Sequence, residues 1–341
     1  MSKLNVLITY RWYPLDERLI QRIRNVSPSL QVTYSQDEGE DARLLPETDI
    51  LFTISIPEGA SKSPRLKWIQ SLSAGVDRLR DSDVWDSDIV VTTSTGIHAT
   101  PIAEYVLGLM LMFTRRLHQV IRTQDKDKMW EFLRFVGGEL RGQTLGIIGY
   151  GSIGREVGRL ARCFGMEVLA LRRSPGKEPP PQYIPPELEE ARSASAATAG
   201  IQVWPPERLP ELLHKSDFVL LSLPLTEETK HLIGEEELRM MKPNAYLINI
   251  ARGALINENA LIRALHEGWI AGAGLDVFET EPLPENSELY ELSNVILTPH
   301  MAAHTTALFD RCVDVFCENL RRYMSDQPLL NVVNRGQRVK A

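Results

Sequence analysis

Cysteine is scarce. The 341 residues hold three, Cys163, Cys312 and Cys317. So few thiols exclude a disulfide scaffold, and their separations match no metal-binding spacing, so no metal is expected. They fit a reducing compartment and reduced, mostly buried thiols. Long hydrophobic runs are lacking as well. The longest, Tyr105 to Phe113, falls far short of the roughly 20 apolar residues that span a bilayer. At the N-terminus a single lysine precedes a strand-like Leu4–Thr9, too short for the apolar core of a signal peptide. Positive charge is in deficit: 38 Lys and Arg stand against 45 Asp and Glu, a net charge of −7. That excludes a general nucleic-acid surface. The expected location is the cytoplasm, and neither nucleic acid nor membrane is expected as a partner. Hydrophobic residues make up 43% and charged residues 24%, the proportions of an ordinary folded chain. The length suggests two domains.

What is present is organised around residues 144–154, Thr-Leu-Gly-Ile-Ile-Gly-Tyr-Gly-Ser-Ile-Gly. Leu145 to Ile148 suits a buried parallel strand. It runs into Gly149-x-Gly151-x-x-Gly154. Val157, Leu160, Ala161 and Phe164 then recur at helical spacing, and Gly165 is placed to stop that helix. Strand, glycine turn and helix are the context of a dinucleotide-binding fingerprint. Gly149 permits the turn, Gly151 lets a pyrophosphate approach the backbone, and Gly154 lets helix and strand pack closely. The free amides of the helix start then face the anion.

The next strand, Glu167 to Leu171, should end at the adenosine ribose. A carboxylate roughly 20 residues past the first glycine would accept bonds from the ribose hydroxyls and mark NAD. Here Arg172, Arg173 and Ser174 follow instead, and no acidic residue stands at this strand end. Two guanidiniums and a hydroxyl suit a 2′-phosphate. The coenzyme expected is therefore NADP(H), with NAD(H) possible; a solvated basic strand end is the bland alternative.

Before the fingerprint, strands are expected at Leu4–Thr9, Gln31–Tyr34, Ile50–Ser55, Lys67–Gln70 and Ile89–Thr93, with a helix at Leu15–Ile23. Alternation of this kind implies a parallel sheet. The segment Ser71 to Asp77 presents amides around Gly75 that could bind a carboxylate, or it is an ordinary βα loop. Thr100-Pro101 opens a long helix, expected from Ile102 to about Ile121. It is apolar nearly all round from Val106 to Met112, which predicts burial on both sides, between domains or in a dimer. Residues 122–140 read as a polar connection with Trp130 and Phe132 exposed. Pro175 to Pro206 reads as a long irregular loop. From 207 the alternation resumes, with strands at Phe218–Leu223, Ala245–Ile250, Ala271–Val277 and Asn294–Leu297. Helices fall at Gly234–Met241 and Asn257–His266, and a last helix spans about Thr305 to Met324, able to return to the first domain.

Three strand ends carry the reactive residues: Arg252, Glu281 and His300. In open parallel sheets ligands bind outside the carboxyl ends of strands. Each residue alone also fits a surface ion pair, a loop charge or a packed turn.

The pieces Ser73-Ala-Gly-Val-Asp77, Gly149-x-Gly-x-x-Gly154, Leu223-Pro-Leu-Thr226, Asn249-x-Ala-Arg-Gly253, Gly274-x-Asp276 with Glu281-Pro282, and Thr298-Pro-His300 occur in one order over most of residues 70–305. The chain thereby resembles the D-isomer-specific 2-hydroxyacid dehydrogenases. The resemblance implies an α/β fold of two doubly wound parallel-sheet domains. A Rossmann coenzyme domain, residues 101–300, would be inserted into a flavodoxin-like substrate domain formed by 1–100 plus 301–341. It implies transfer of hydride between NAD(P)H and a small 2-oxo or D-2-hydroxy acid. Arg252 would bind substrate, His300 would act as acid and base, and Glu281 would orient His300. The amides of Gly75 and Val76 would take the substrate carboxylate. Coenzyme contacts are implied for Ser152, Ile153, Leu223, Pro224 and Thr229. Ile250, Ala251, Asp276 and Ala302 join them, Asp276 at the nicotinamide amide. A homodimer is expected, with Trp130 reaching the partner's cleft. Two other readings share the scaffold: a formate or phosphite dehydrogenase, and a dinucleotide-sensing corepressor of the C-terminal-binding-protein kind. Glu281 opposes formate, whose branch carries glutamine there.

Overall fold

The computed structural model describes residues 3–12, 14–126, 130, 133–174, 182–186, 188 and 200–333. The chain divides into two compact units. The first comprises the described residues of Met1–His98, Glu178–Pro186 and Thr305–Ala341; the second those of Ala99–Lys177 and Glu187–His304.

In the first unit, strands β1 (Leu4–Thr9), β2 (Leu30–Ser35), β3 (Ile50–Thr53), β4 (Trp68–Ser71) and β5 (Val90–Thr92) form one sheet in the order β2-β1-β3-β4-β5. Every pairing is parallel, with Leu7 opposite both Thr33 and Leu51. This is the flavodoxin-like order. Helix Glu17–Arg24 is capped by Asp16, whose carboxylate accepts from the Arg18 amide, and it buries Leu19, Ile20 and Ile23. The final helix, Leu308–Met324, starts three residues later than expected. Its Phe316 ring stacks on Phe52 at 4.4 Å. Its buried Asn319 donates to the Gln70 side chain at 3.1 Å and accepts from the Leu330 amide at 2.8 Å. Buried amide groups need such partners, so Asn319 fixes the register of this helix on the sheet.

The second unit holds seven parallel strands: β6 (Thr144–Ile148), β7 (Glu167–Leu171), β8 (Gln202–Trp204), β9 (Phe218–Leu221), β10 (Tyr246–Asn249), β11 (Gly272–Leu275) and β12 (Val295–Leu297). Their order is β12-β11-β10-β9-β6-β7-β8. That is the Rossmann order, and it reverses between β6 and β9. The strands are almost wholly buried because helices cover both faces. Helix Ala99–Thr114 lies close over β11. A Cβ on Gly274 would stand 3.0 Å from Leu109 and 3.3 Å from Phe113, and Phe113 stacks on Tyr246 at 4.5 Å.

Two expectations are corrected. The long helix breaks in two, Ala99–Thr114 and Leu117–Lys126. Arg116 takes a left-handed φ of 54°, and the His118 ring bonds the Met112 carbonyl at 3.1 Å, satisfying an orphan group at the end of the first helix. The region Pro175–Pro206 is not all loop. Strand β8 pairs with β7, and Tyr183 is buried in the core of the first unit, its amide on the Asn331 side chain at 3.0 Å. Most of that region, and Phe132, lie outside the described residues. The thiols are mostly buried, as expected: Cys163 is exposed, while Cys312 and Cys317 are buried, where burial pushes their thiols up to about 12 and about 11. Among the described residues no helix is long and apolar enough to cross a membrane.

Candidate active site

The carboxyl ends of β6, β7 and β9 frame a cleft of about 650 Å³. It lies where the strand order reverses. Its floor is the glycine turn, and each glycine is demanded by a different fact. Gly149 has a φ of 103°, and a Cβ there would stand 2.5 Å from the Ser222 carbonyl oxygen. Gly154 leaves no room either: its Cβ would meet the Gly149 carbonyl oxygen at 2.5 Å, beneath helix Ser152–Cys163. At Gly151 nothing lies within 4 Å of a built Cβ. The protein does not need that glycine; the open cleft does. Gly151 is also the N-cap of the helix, and no side chain caps its amides. A turn shaped in this way fits a dinucleotide pyrophosphate.

Arg172 and Arg173 line the same cleft, with Leu223, Pro224 and Thr229. The Thr229 hydroxyl donates to the Pro224 carbonyl at 2.9 Å and accepts from the Thr226 amide at 2.7 Å, which shapes the rim. Ser152, Ile153, Gly154, Ser174, Ile250, Ala251, Asp276 and Ala302 stand outside this lining. Ser152, Ile153 and Gly154 form the helix start behind the turn. Tyr150, Ser222, Pro206, Leu209 and Leu232 line the cleft unannounced by the motif reading. So does Glu228, an acidic group in a cleft where none was expected. It comes from the segment after β9 rather than from the end of β7. The Thr226 hydroxyl donates to it at 2.6 Å. That bond, with the charge of Arg173, holds the Glu228 carboxyl below its ordinary range.

A second cleft, about 630 Å³, is lined by Glu281 and His300 with Phe278, Leu283, Tyr290 and Leu297 among others. His300 Nδ1 is 2.8 Å from Glu281 Oε2, and Glu281 Oε1 accepts from the Phe278 amide at 3.1 Å. His300 follows β12 at a left-handed φ of 52°, uncommon for a residue with a Cβ. Its amide donates to the Asp276 carbonyl at 2.9 Å. Asp276 is 1% exposed. Its carboxylate accepts from the Thr298 hydroxyl at 2.7 Å and from the amides of Met301 and Ala302 at 2.8 and 2.9 Å. Asp276 thus clamps the loop on both sides of His300, and Ala302 is one of the clamped residues.

Arg252 follows β10 and is half-buried, outside the lining of that cleft. Asn249 folds its loop, accepting from the Ala251 amide at 3.0 Å and donating to the Arg252 carbonyl at 2.9 Å. Gly253 presses on the next loop so closely that a Cβ would stand 1.8 Å from the Phe278 carbonyl carbon. The strand order places β10, β11 and β12 side by side, so the Arg252, Asp276 and His300 loops leave adjacent strand ends. In the first unit, Gly75 and Val76 lie between β4 and a short helix, Asp77–Arg80. The Gly75 amide donates to the Ser73 hydroxyl at 3.1 Å. Trp130 is 98% exposed.

The profile of the D-isomer-specific 2-hydroxyacid dehydrogenases, NAD-binding domain, matches residues 107–302. A glyoxylate reductase of Thermococcus litoralis is 37% identical over 299 residues, 85% of this chain and 84% of its own. A D-isomer-specific 2-hydroxyacid dehydrogenase family protein from Aeromonas salmonicida aligns with a TM-score of 0.78 at 32% identity, over 98% of this chain and 100% of its own. Another such dehydrogenase, from Xanthobacter autotrophicus in complex with NADPH and MES, aligns with a TM-score of 0.78 at 28% identity, over 98% and 99%. The chain belongs to the D-isomer-specific 2-hydroxyacid dehydrogenases. It is thereby an oxidoreductase of the nicotinamide-dependent class that interconverts 2-oxo and 2-hydroxy acids.

Proposed function

We propose that this chain is an NADP(H)-preferring reductase of small 2-oxo acids, of the glyoxylate/hydroxypyruvate type. The observation that carries the proposal is the His300–Glu281 pair, 2.8 Å apart, on a loop held by a buried carboxylate. A reduced nicotinamide in the glycine-turn cleft would supply hydride to the substrate's carbonyl carbon. His300, through Nε2, gives a proton to the carbonyl oxygen and takes it back in oxidation. Glu281 holds Nδ1, which leaves Nε2 to the substrate. The Arg252 guanidinium binds the substrate carboxylate and polarises the ketone. The amides of Gly75 and Val76 are proposed as further carboxylate donors, the Gly75 amide exchanging its bond to Ser73. Asp276, Ala302, Ile250 and Ala251 are proposed at the nicotinamide end of the coenzyme, and Arg172, Arg173 and Ser174 at a 2′-phosphate. The relatives named as glyoxylate reductases and the neighbour bound to NADPH support this reading. Domain roles follow it: coenzyme binding for the second unit, substrate binding for the first. A cytoplasmic homodimer completes the proposal, with Trp130 offered to the partner.

The test is His300→Ala and His300→Gln. Turnover should fall by about 10²–10⁴-fold, the usual contribution of a positioned acid, with coenzyme binding retained. Near-normal turnover would remove His300 from the mechanism.

A further inference from the structure

Thr298 has one hydroxyl proton and three polar neighbours, one of them the Leu275 carbonyl, a distant acceptor at 3.5 Å. Its Oγ1 donates to Asp276 Oδ1 at 2.7 Å. It is also hydrogen-bonded to the hydroxyl of Tyr105, 193 residues earlier in the chain. Since the carboxylate can only accept, the Thr298 proton is committed to Asp276. The Tyr105 hydroxyl must then be the donor to Thr298. The chain of bonds has one direction: Tyr105 to Thr298 to Asp276. Desolvation pushes the Tyr105 hydroxyl up to about 12, so it keeps its proton across the working range.

The far end of this chain is the His300 loop. Asp276 receives the amides of Met301 and Ala302, the two residues after His300, and its backbone carbonyl receives the amide of His300 itself. His300 is held in a left-handed conformation, which persists only where the surroundings over-determine it. A carboxylate free to rotate would release two of those three amides. Tyr105 sits on helix Ala99–Thr114, a different element from the three loops of the site.

We propose that Tyr105 is a positioning residue for the acid/base histidine, acting through Thr298 and Asp276. This rests on the functional reading above. The bland alternative is that the bonds only fasten helix Ala99–Thr114 to the sheet. A fastening role lowers stability and leaves the proton step alone. A positioning role slows the proton step in molecules that are fully folded.

The experiment compares wild type with Tyr105→Phe, Thr298→Val and Thr298→Ser, each loaded with NADPH. It reads kcat, KM, coenzyme Kd, melting temperature, the solvent deuterium isotope effect on kcat, and the ring nitrogen resonances of His300 by NMR. A small misplacement of a catalytic group costs up to about 100-fold in rate. Expected are a kcat loss of about tenfold in Tyr105→Phe and about 100-fold in Thr298→Val. Both should show a raised isotope effect and changed His300 resonances. Thr298→Ser, which keeps the hydroxyl, should restore most of the rate. Unchanged His300 resonances in Tyr105→Phe and Thr298→Val, or a rate loss with an unchanged isotope effect, would overturn the inference. If wild type turns over no 2-oxo acid, the functional reading fails, and the His300 resonances still decide the positioning.

Discussion

The two halves of the site in the second unit are built by opposite means. The glycine turn after β6 works by what is missing: three positions without a Cβ, two because protein backbone lies at 2.5 Å and one because open space must stay open. The His300 loop works by what is added: a buried carboxylate, a hydroxyl and a second carboxylate, all within hydrogen-bond distance of a short stretch of chain. A surface made of absences is compact in sequence. A surface made of side-chain bonds draws partners from wherever the fold brings them. The first is therefore sensitive to any addition, and the second to the loss of single polar atoms.

The largest effect should come from adding atoms to the turn. Gly149→Ala forces a Cβ onto the Ser222 carbonyl at a φ of 103°. It should cost about 3 kcal/mol of stability in denaturant titrations, from strain and overpacking together, and abolish tight coenzyme binding. Gly151→Ala is the sharper comparison. Its φ of −89° suits alanine, and a Cβ there meets nothing within 4 Å. Stability should stay within about 1 kcal/mol while coenzyme affinity in fluorescence titration falls at least about tenfold. Equal stability losses at Gly149 and Gly151 would break the distinction between a glycine that the fold needs and one that the ligand needs.

Next in size is the choice of coenzyme. NADPH should exceed NADH by at least about tenfold in kcat/KM, since charge-assisted bonds to a phosphate contribute roughly 1.5–3 kcal/mol. Arg172→Asp should shrink or invert that ratio. Glu228→Gln removes the carboxylate that lines the cleft beside Arg173 and should enlarge the ratio. Unchanged ratios in both variants would separate these charges from selectivity.

The smallest effect lies outside both halves, at His118, which is 5% exposed. Desolvation lowers its pKa, so it takes up its proton at lower pH in the folded chain than in the unfolded one. As pH falls through the unfolded value of about 6.5, the unfolded chain binds more protons and stability drops. The drop levels off below the folded pKa. Urea titrations of His118→Asn should lack this step, while coenzyme affinity stays as in wild type.

The contrast also explains how much of the molecule could be read from sequence. Gly149, Gly151 and Gly154 span six residues, so the glycine turn was legible, as were the alternating strands and the three loops after strands that carry Arg252, Glu281 and His300. The break at Arg116 was hidden because the apolar pattern continues on both sides of it. Strand β8 was hidden because its three residues stand between a Ser/Ala-rich run and Pro205-Pro206. Helix Glu38–Leu44 went unread because it is almost wholly polar. The bond between Tyr105 and Thr298 joins residues 193 apart, and no local spacing can announce it. Glu228 stands in none of the motifs, and only the folding of the segment after β9 brings it into the cleft with Arg173.

Whether the chain is a reductase is decided by steady-state turnover of a panel of 2-oxo acids, glyoxylate and hydroxypyruvate among them, with NADPH and with NADH. A reductase of this kind should reduce at least one small 2-oxo acid, faster with NADPH by about tenfold or more. Tight coenzyme binding with no turnover of any 2-oxo acid would contradict it and leave a dinucleotide-binding protein in place of a reductase.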